Sequence, residues 1–270
     1  MKLFVALRRR WYRWFLGARA LSGGVFRIRG VARSWLVYSL TGSALALGWV
    51  DAAWGAATFL LSLLGGAASD RIDRRKLLTW GQAGGALIPL VIAFLVFGDV
   101  IRVWHLALAN FFMGMVFSFV IPARRAFLGD MMSTEVLMNA MALSTVAMSI
   151  TRITSSAGGG KLVDATGPAP AYLLVAGCIG LTAWVYSKLP STAEEERERS
   201  QNSIRDDLVD GANYILDRPL LTGILVLELG RVLLYRPYMV ALPLFAGDVF
   251  DVGATGLGLL QGASSVGGMV

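Results

Sequence analysis

The sequence has one cysteine and one histidine among its 270 residues. Cys178 has no second cysteine to join, so an intrachain disulfide is excluded and nothing points to an oxidising compartment. With His105 alone, neither a histidine-based metal centre nor a Ser-His-Asp arrangement has the material it needs. No Gly-x-Ser-x-Gly elbow occurs. Lys161, which follows Gly158, Gly159 and Gly160, is trailed by Leu162 rather than Ser or Thr, which argues against a phosphate loop. The expectation is therefore no catalytic residue, no metal and no cofactor. Charge is also scarce: 16% of residues are charged against 56% hydrophobic. A mean hydropathy of +0.61 describes more apolar surface than one soluble core can hide.

Long apolar runs are what the chain has in place of these. Runs of about 17 to 27 residues, each long enough to cross a bilayer, occupy Ala44 to Gly66, Leu77 to Phe97, Val103 to Ile121, Thr134 to Gly160, Ala171 to Ser187 and Leu220 to Ala246. Trp14 to Leu40 reads as a first span compromised by arginines. Gly256 to Val270 begins another, but would rise only about 22 Å as a helix, so the chain is expected to stop inside its eighth crossing.

The net charge of +7 is carried by loops between these runs, not by one basic face, so a nucleic-acid partner is not expected. With the amino terminus inside, the cytoplasmic segments hold Lys2, Arg8, Arg9, Arg10, Arg13, Arg71, Arg74, Arg75, Lys76, Arg124, Arg125, Lys188, Arg197, Arg199, Arg205 and Arg218. The outer loops hold only Arg102 and Lys161. That bias favours an amino terminus in the cytoplasm. Met1 to Phe15 lacks a compact apolar stretch and an Ala-x-Ala site, so its arginines read as a cytoplasmic flank in preference to an export signal. The longest connection, Lys188 to Pro219, is rich in charge and separates six spans from the rest. Ile204, Leu208, Ala212 and Ile215 recur in it at helical spacing, which suits either a helix along the membrane surface or an ordinary solvated linker.

The most informative loop is Gly66 to Lys76. A connection this short makes its two flanking helices antiparallel neighbours. Its pattern, Gly66-x-x-x-Asp70-Arg71-x-x-Arg74-Arg75, resembles the signature between the second and third helices of major facilitator superfamily transporters. Asp73 stands where that family usually has Gly, a variant similar to the drug and siderophore exporter branch that includes macrolide and enterobactin exporters. Pro122 to Phe127, with Asn139 and Arg152, resembles the same branch, and the whole likeness runs from about Trp35 to Val270. The resemblance implies an all-α integral membrane protein with a six-helix bundle and the start of a second, about seven or eight crossings of roughly twelve. It implies three regions: a bundle at 1–189, a cytoplasmic linker at 190–219 and an incomplete second bundle at 220–270. It further implies proton-coupled efflux of a hydrophobic or amphipathic small molecule across a bacterial inner membrane, and a latch role for the signature loop. Two departures weaken antiport: Ser155 and Ser156 replace a Gly-Pro pair, and Asn110 stands where many relatives carry Arg. A non-transporting receptor on the same scaffold, or a lipid-acting membrane enzyme, are the competing classes.

Charges inside spans carry the remaining information, because each costs about 2.5 to 3.5 kcal/mol at a helix centre. Asp51 is a candidate to bind a proton or a cationic substrate, or else an interfacial residue. Glu228 and Arg231 lie on one face of the seventh span and read as a neutralised pair or a coupling site. Arg152 is a candidate for an anionic substrate group or an anchor. Arg236 beside Pro237 is either at a helix break or a snorkelling cation. Arg19, Arg27, Arg29 and Arg33 make the first span an anomaly. Arg19, Arg29 and Arg33 fall within about 80° of one another on a helix, a cationic stripe suited to lining a cavity for anionic substrates, with Arg27 off it, unless the true span is shorter or the stretch is a sequence artefact. Gly158, Gly159 and Gly160 are expected to let helices pack closely.

Overall fold

The computed structural model describes residues 6–132, 134–191 and 218–267. The surface-helix reading of Ile204 to Ile215, and most of the linker, lie outside the described residues. After a 3-10 turn at Ala6–Arg8 come α1 (Arg10–Thr41), α2 (Ala44–Arg71), α3 (Arg74–Phe97), α4 (Val103–Met131), α5 (Thr134–Thr166), α6 (Pro168–Ser187), α7 (Pro219–Leu244) and α8 (Gly253–Gly267). A π-helical turn, Phe245–Val249, extends α7, and there is no strand among the described residues. The fold is all-α and of membrane type.

Local chemistry sets the turns. Gly42, at φ 59°, closes α1 in the left-handed region and donates its N–H to the Tyr38 carbonyl at 2.7 Å. Ser43 then caps α2 by accepting from the Ala46 N–H. Asp73 does the same for α3, accepting from the Arg75 N–H at 2.9 Å, so the aspartate that departs from the usual glycine starts a helix.

Two boundaries differ from the sequence pattern. The basic loop shrinks to Ile72 and Asp73, because α2 continues through Asp70 to Arg71. Arg74 Nε donates to the Ser69 carbonyl at 3.1 Å and so satisfies one of the carbonyls that a helix end leaves open. The fourth helix does not end before Pro122 but runs on to Met131. Ala123 and Phe127 are fully buried against Phe15 and Leu78, and that burial offsets the hydrogen bond which Pro122 removes. Arg124, expected in a cytoplasmic loop, is therefore a buried helix residue.

In packing, α2 lies along α4, α3 along α6 and α4, α1 against α5 and α6, and α5 against α8. Small residues allow the closest approach: a Cβ at Gly65 would overlap the Ser118 carbonyl, and one at Gly114 would press on Trp54 and Ala57. One apolar cluster, around Tyr12, Phe15, Phe127 and Tyr186, fills the end near the α2–α3 turn. Another, around Val37, Val50, Leu106, Tyr172 and Ala254, fills the opposite end. The outward faces are equally apolar, with Phe59 82% and Trp80 74% exposed. Side chains of this size gain about 1.5 to 3 kcal/mol each on leaving water, so an outer face built from them belongs in lipid. Among the described residues, five helices are long and apolar enough to cross a membrane: those within α2, α3, α4, α5 and α6.

Candidate functional site

The helix with most intramembrane charge is the one the bundle encloses. At 100° per residue, Tyr12, Phe15, Arg19, Ser22, Phe26, Arg29 and Arg33 fall within about 100° on α1. Tyr12, Phe15, Ser22 and Arg29 are buried. Outer concavities near Arg10, Arg13, Trp14 and Trp184 lie on the opposite face of α1, away from this stripe. Turning the arginines toward other helices exchanges lipid for partners, and this offsets their insertion cost.

Towards the α1–α2 turn, Arg33 Nη1 pairs with Asp51 Oδ1 at 2.5 Å, the two side chains being 15% and 22% exposed. One turn deeper, Arg29 Nη1 donates to Asn110 Oδ1 at 3.2 Å, and Asn110 Nδ2 donates to the Val50 carbonyl at 2.7 Å. The Arg29 guanidinium also lies 5.1 Å from the Phe26 ring centre and 5.6 Å from that of Trp54. Buried Tyr172 on α6 is within electrostatic reach of both arginines. This tier joins α1, α2 and α4 through one ion pair, two hydrogen bonds and the Arg29–Trp54 cation–π contact.

Towards the α2–α3 turn, Ser22 Oγ accepts from Gln82 Nε2 at 3.2 Å and from Arg124 Nη2 at 3.4 Å. Arg124 lies 5.9 Å from the Tyr186 ring centre, and Arg19 is close enough to repel it electrostatically. At the end of the bundle Arg74 forms an ion pair with Asp130 and donates Nη1 to the Ala126 carbonyl at 2.8 Å. Arg75 Nη1 reaches the Leu189 carbonyl at 3.3 Å, and Ser191 Oγ donates to Asp73 Oδ2 at 2.9 Å. The signature loop thus ties α2 and α3 to the ends of α4 and α6. Gly66 faces open space within α2. Asp70 and Arg71 are helical there, their side chains outside the described residues.

A third contact set joins the first six helices to the later ones. Asp164, near the end of α5, accepts at both oxygens from the first N–H groups of α8: Ala254 at 2.9 Å and Thr255 at 2.7 Å. These N–H groups have no partner inside the helix, and the carboxylate also opposes the positive helix end. Tyr38 Oη donates to Asp248 Oδ1 at 2.5 Å across the α1 end and the π-helical turn. Gly247 leaves room for the tyrosine ring, which a Cβ there would strike. A Cβ at Gly160 would overlap the Ala254 carbonyl, and one at Gly159 would sit 3.0 Å from Ile28 Cα, while Gly158 has nothing near it. Arg152 is exposed on α5. Glu228, Arg231 and Arg236 lie in α7, their side chains outside the described residues.

The structure therefore brings Asp51 and Arg33 together and leaves Arg152 apart. Four participants carried only a weak sequence signal. Ser22, Gln82 and Asn110 are uncharged polar residues inside apolar runs, and Asp164 sits near a helix end where acid ordinarily reads as loop.

A family model described as transmembrane secretion effector, of the major facilitator type, matches residues 2–270. No curated protein sequence matches the chain.

Proposed function

We propose a secondary active export function on one premise: this chain belongs to the transmembrane secretion effector family of major facilitator type. It is a multi-pass membrane protein of a transporter family. On our reading it carries a hydrophobic or amphipathic small molecule out of the cell, as the drug and siderophore exporter branch does, with protons as the coupling ion. Its amino terminus faces the cytoplasm of a bacterial inner membrane. Residues 1–189 form the first bundle, 190–219 the connection, and 220–270 belong to the second bundle.

The observation that carries this reading is the Arg33–Asp51 pair, held between α1 and α2 beside the buried Arg29–Asn110 bridge. Protonating the carboxylate breaks the pair and leaves Arg33 to seek another partner, which couples a proton to helix position. The contacts of Asp164 with α8, and of Tyr38 with Asp248, then close the α1–α2 end of the molecule. Rocking one bundle against the other opens that end and closes the end bearing the signature loop. Gly160 lets that rocking surface pack closely on α8, while Gly159 seats α5 on α1. Arg74 and Arg75 brace the opposite end, and the same latch role is assigned to the rest of the signature, Gly66, Asp70 and Arg71. Glu228, Arg231 and Arg152 are assigned to the substrate path.

Reconstitution tests the proposal. Proteoliposomes should move an amphipathic dye in response to an imposed pH gradient, and Asp51→Asn should remove the response to the gradient. A protein that binds the dye but never moves it would be a receptor, not an exporter.

A further inference from the structure

The end of the α1 stripe near the α2–α3 turn holds positive charge that the described residues do not neutralise. Arg124 is 9% exposed, and its Nε is buried without a hydrogen-bond partner. Its contacts are a long bond to Ser22 at 3.4 Å and the face of Tyr186. Arg19 also has a buried, unpartnered Nε. The carboxylates that form ion pairs among the described residues, Asp51 and Asp130, are held by Arg33 and Arg74.

Two guanidinium groups close enough to repel one another in a low-dielectric interior are costly, and an anion between them offsets repulsion and desolvation together. The neighbouring groups suit such an anion. Ser22 Oγ already accepts from Gln82 and Arg124, which leaves its own proton to donate. These donors adjoin the aromatic cluster of Phe15, Phe127 and Tyr186, whose rings are packed on one another. A forked cation matches the two oxygens of a carboxylate, and a hydrocarbon or aromatic body bound beside it would part that aromatic cluster and pack on its rings.

We propose that Arg19 and Arg124, supported by Ser22 and Gln82, bind the carboxylate of an amphipathic organic anion, which makes such anions the exported class. The inference rests on the export reading above for its physiological meaning, but not for its test. The probes are a dansylated fatty acid and its uncharged primary amide, titrated by fluorescence into the purified, unmodified protein in detergent. The acid should bind at least about tenfold more tightly than the amide. Arg19→Gln and Arg124→Gln should each weaken the acid by a similar factor and leave the amide unchanged. Equal binding of acid and amide overturns the proposal, and because that comparison needs no variant it holds even where a substitution prevents folding. So does an equal loss of both probes in the variants. Selective, arginine-dependent binding of an acid that proteoliposomes never carry would uphold the site and refute the export reading. Gradient-driven flux of the dye without preference for the acid would do the reverse.

Discussion

Arg33 and Asp51 show how a single residue's placement decides whether charge is tolerated in an apolar interior. Each is mostly buried, and each is costly there without the other. Asp51→Asn should lower stability by about 1–3 kcal/mol, read as a fall in melting temperature in detergent, because it leaves Arg33 without its partner. Exchanging the two, Arg33→Asp with Asp51→Arg, should recover part of the loss; no recovery would mean that the residues act independently. The glycine run offers a sharper contrast. Gly158→Ala meets open space and should be neutral or stabilising by up to about 1 kcal/mol, since alanine is the better helix former. Gly160→Ala must displace the backbone of Ala254 and should weaken both thermal stability and transport. Equal effects at the two positions would show that α5 and α8 do not meet as described.

At the scale of helices, α1 and its capping partners set the behaviour. Apolar runs made most helices legible in the sequence: the spans in α2, α3, α5 and α6 stand close to where hydropathy alone puts them, and α4 begins where expected. The first helix was legible only as an anomaly. Arg19, Arg27, Arg29 and Arg33 conflict with lipid, and only tertiary packing shows that Arg29 reaches Asn110 on α4 while Arg33 reaches Asp51 on α2. The extension of α4 past Pro122 was hidden because proline is a strong local stop signal, whereas the burial of Phe127 against Phe15 is a long-range gain. Asp164 was equally hidden, since no local pattern announces a cap supplied from another helix. Asp164→Ala should uncap α8 at a cost of about 1 kcal/mol and increase labelling of cysteines placed at the α1–α2 end. Unchanged labelling would mean that this carboxylate does not help to close that end. At the other end, Arg74→Ala removes the Asp130 pair and the bonds to Ala126 and Ser69. A loss of about 2–4 kcal/mol is expected, visible in thermal unfolding of the detergent-solubilised protein.

On the scale of the whole molecule, polar contacts concentrate in three places: both ends and the face of α1 between them. The two ends differ in kind. The α2–α3 end is tied within the first six helices by Arg74 and Arg75, whereas the α1–α2 end is tied to the later helices by Asp164 and Tyr38. Such an arrangement lets one end open as a rigid-body movement while the other remains internally braced. The measurement that tests this most directly joins Tyr38→Cys to Asp248→Cys with a short reducible cross-linker, in a Cys178→Ser background reconstituted into proteoliposomes. Cross-linking should stop gradient-driven flux, and reduction should restore it. Flux undiminished in the cross-linked protein would contradict the claim that this contact must break for transport.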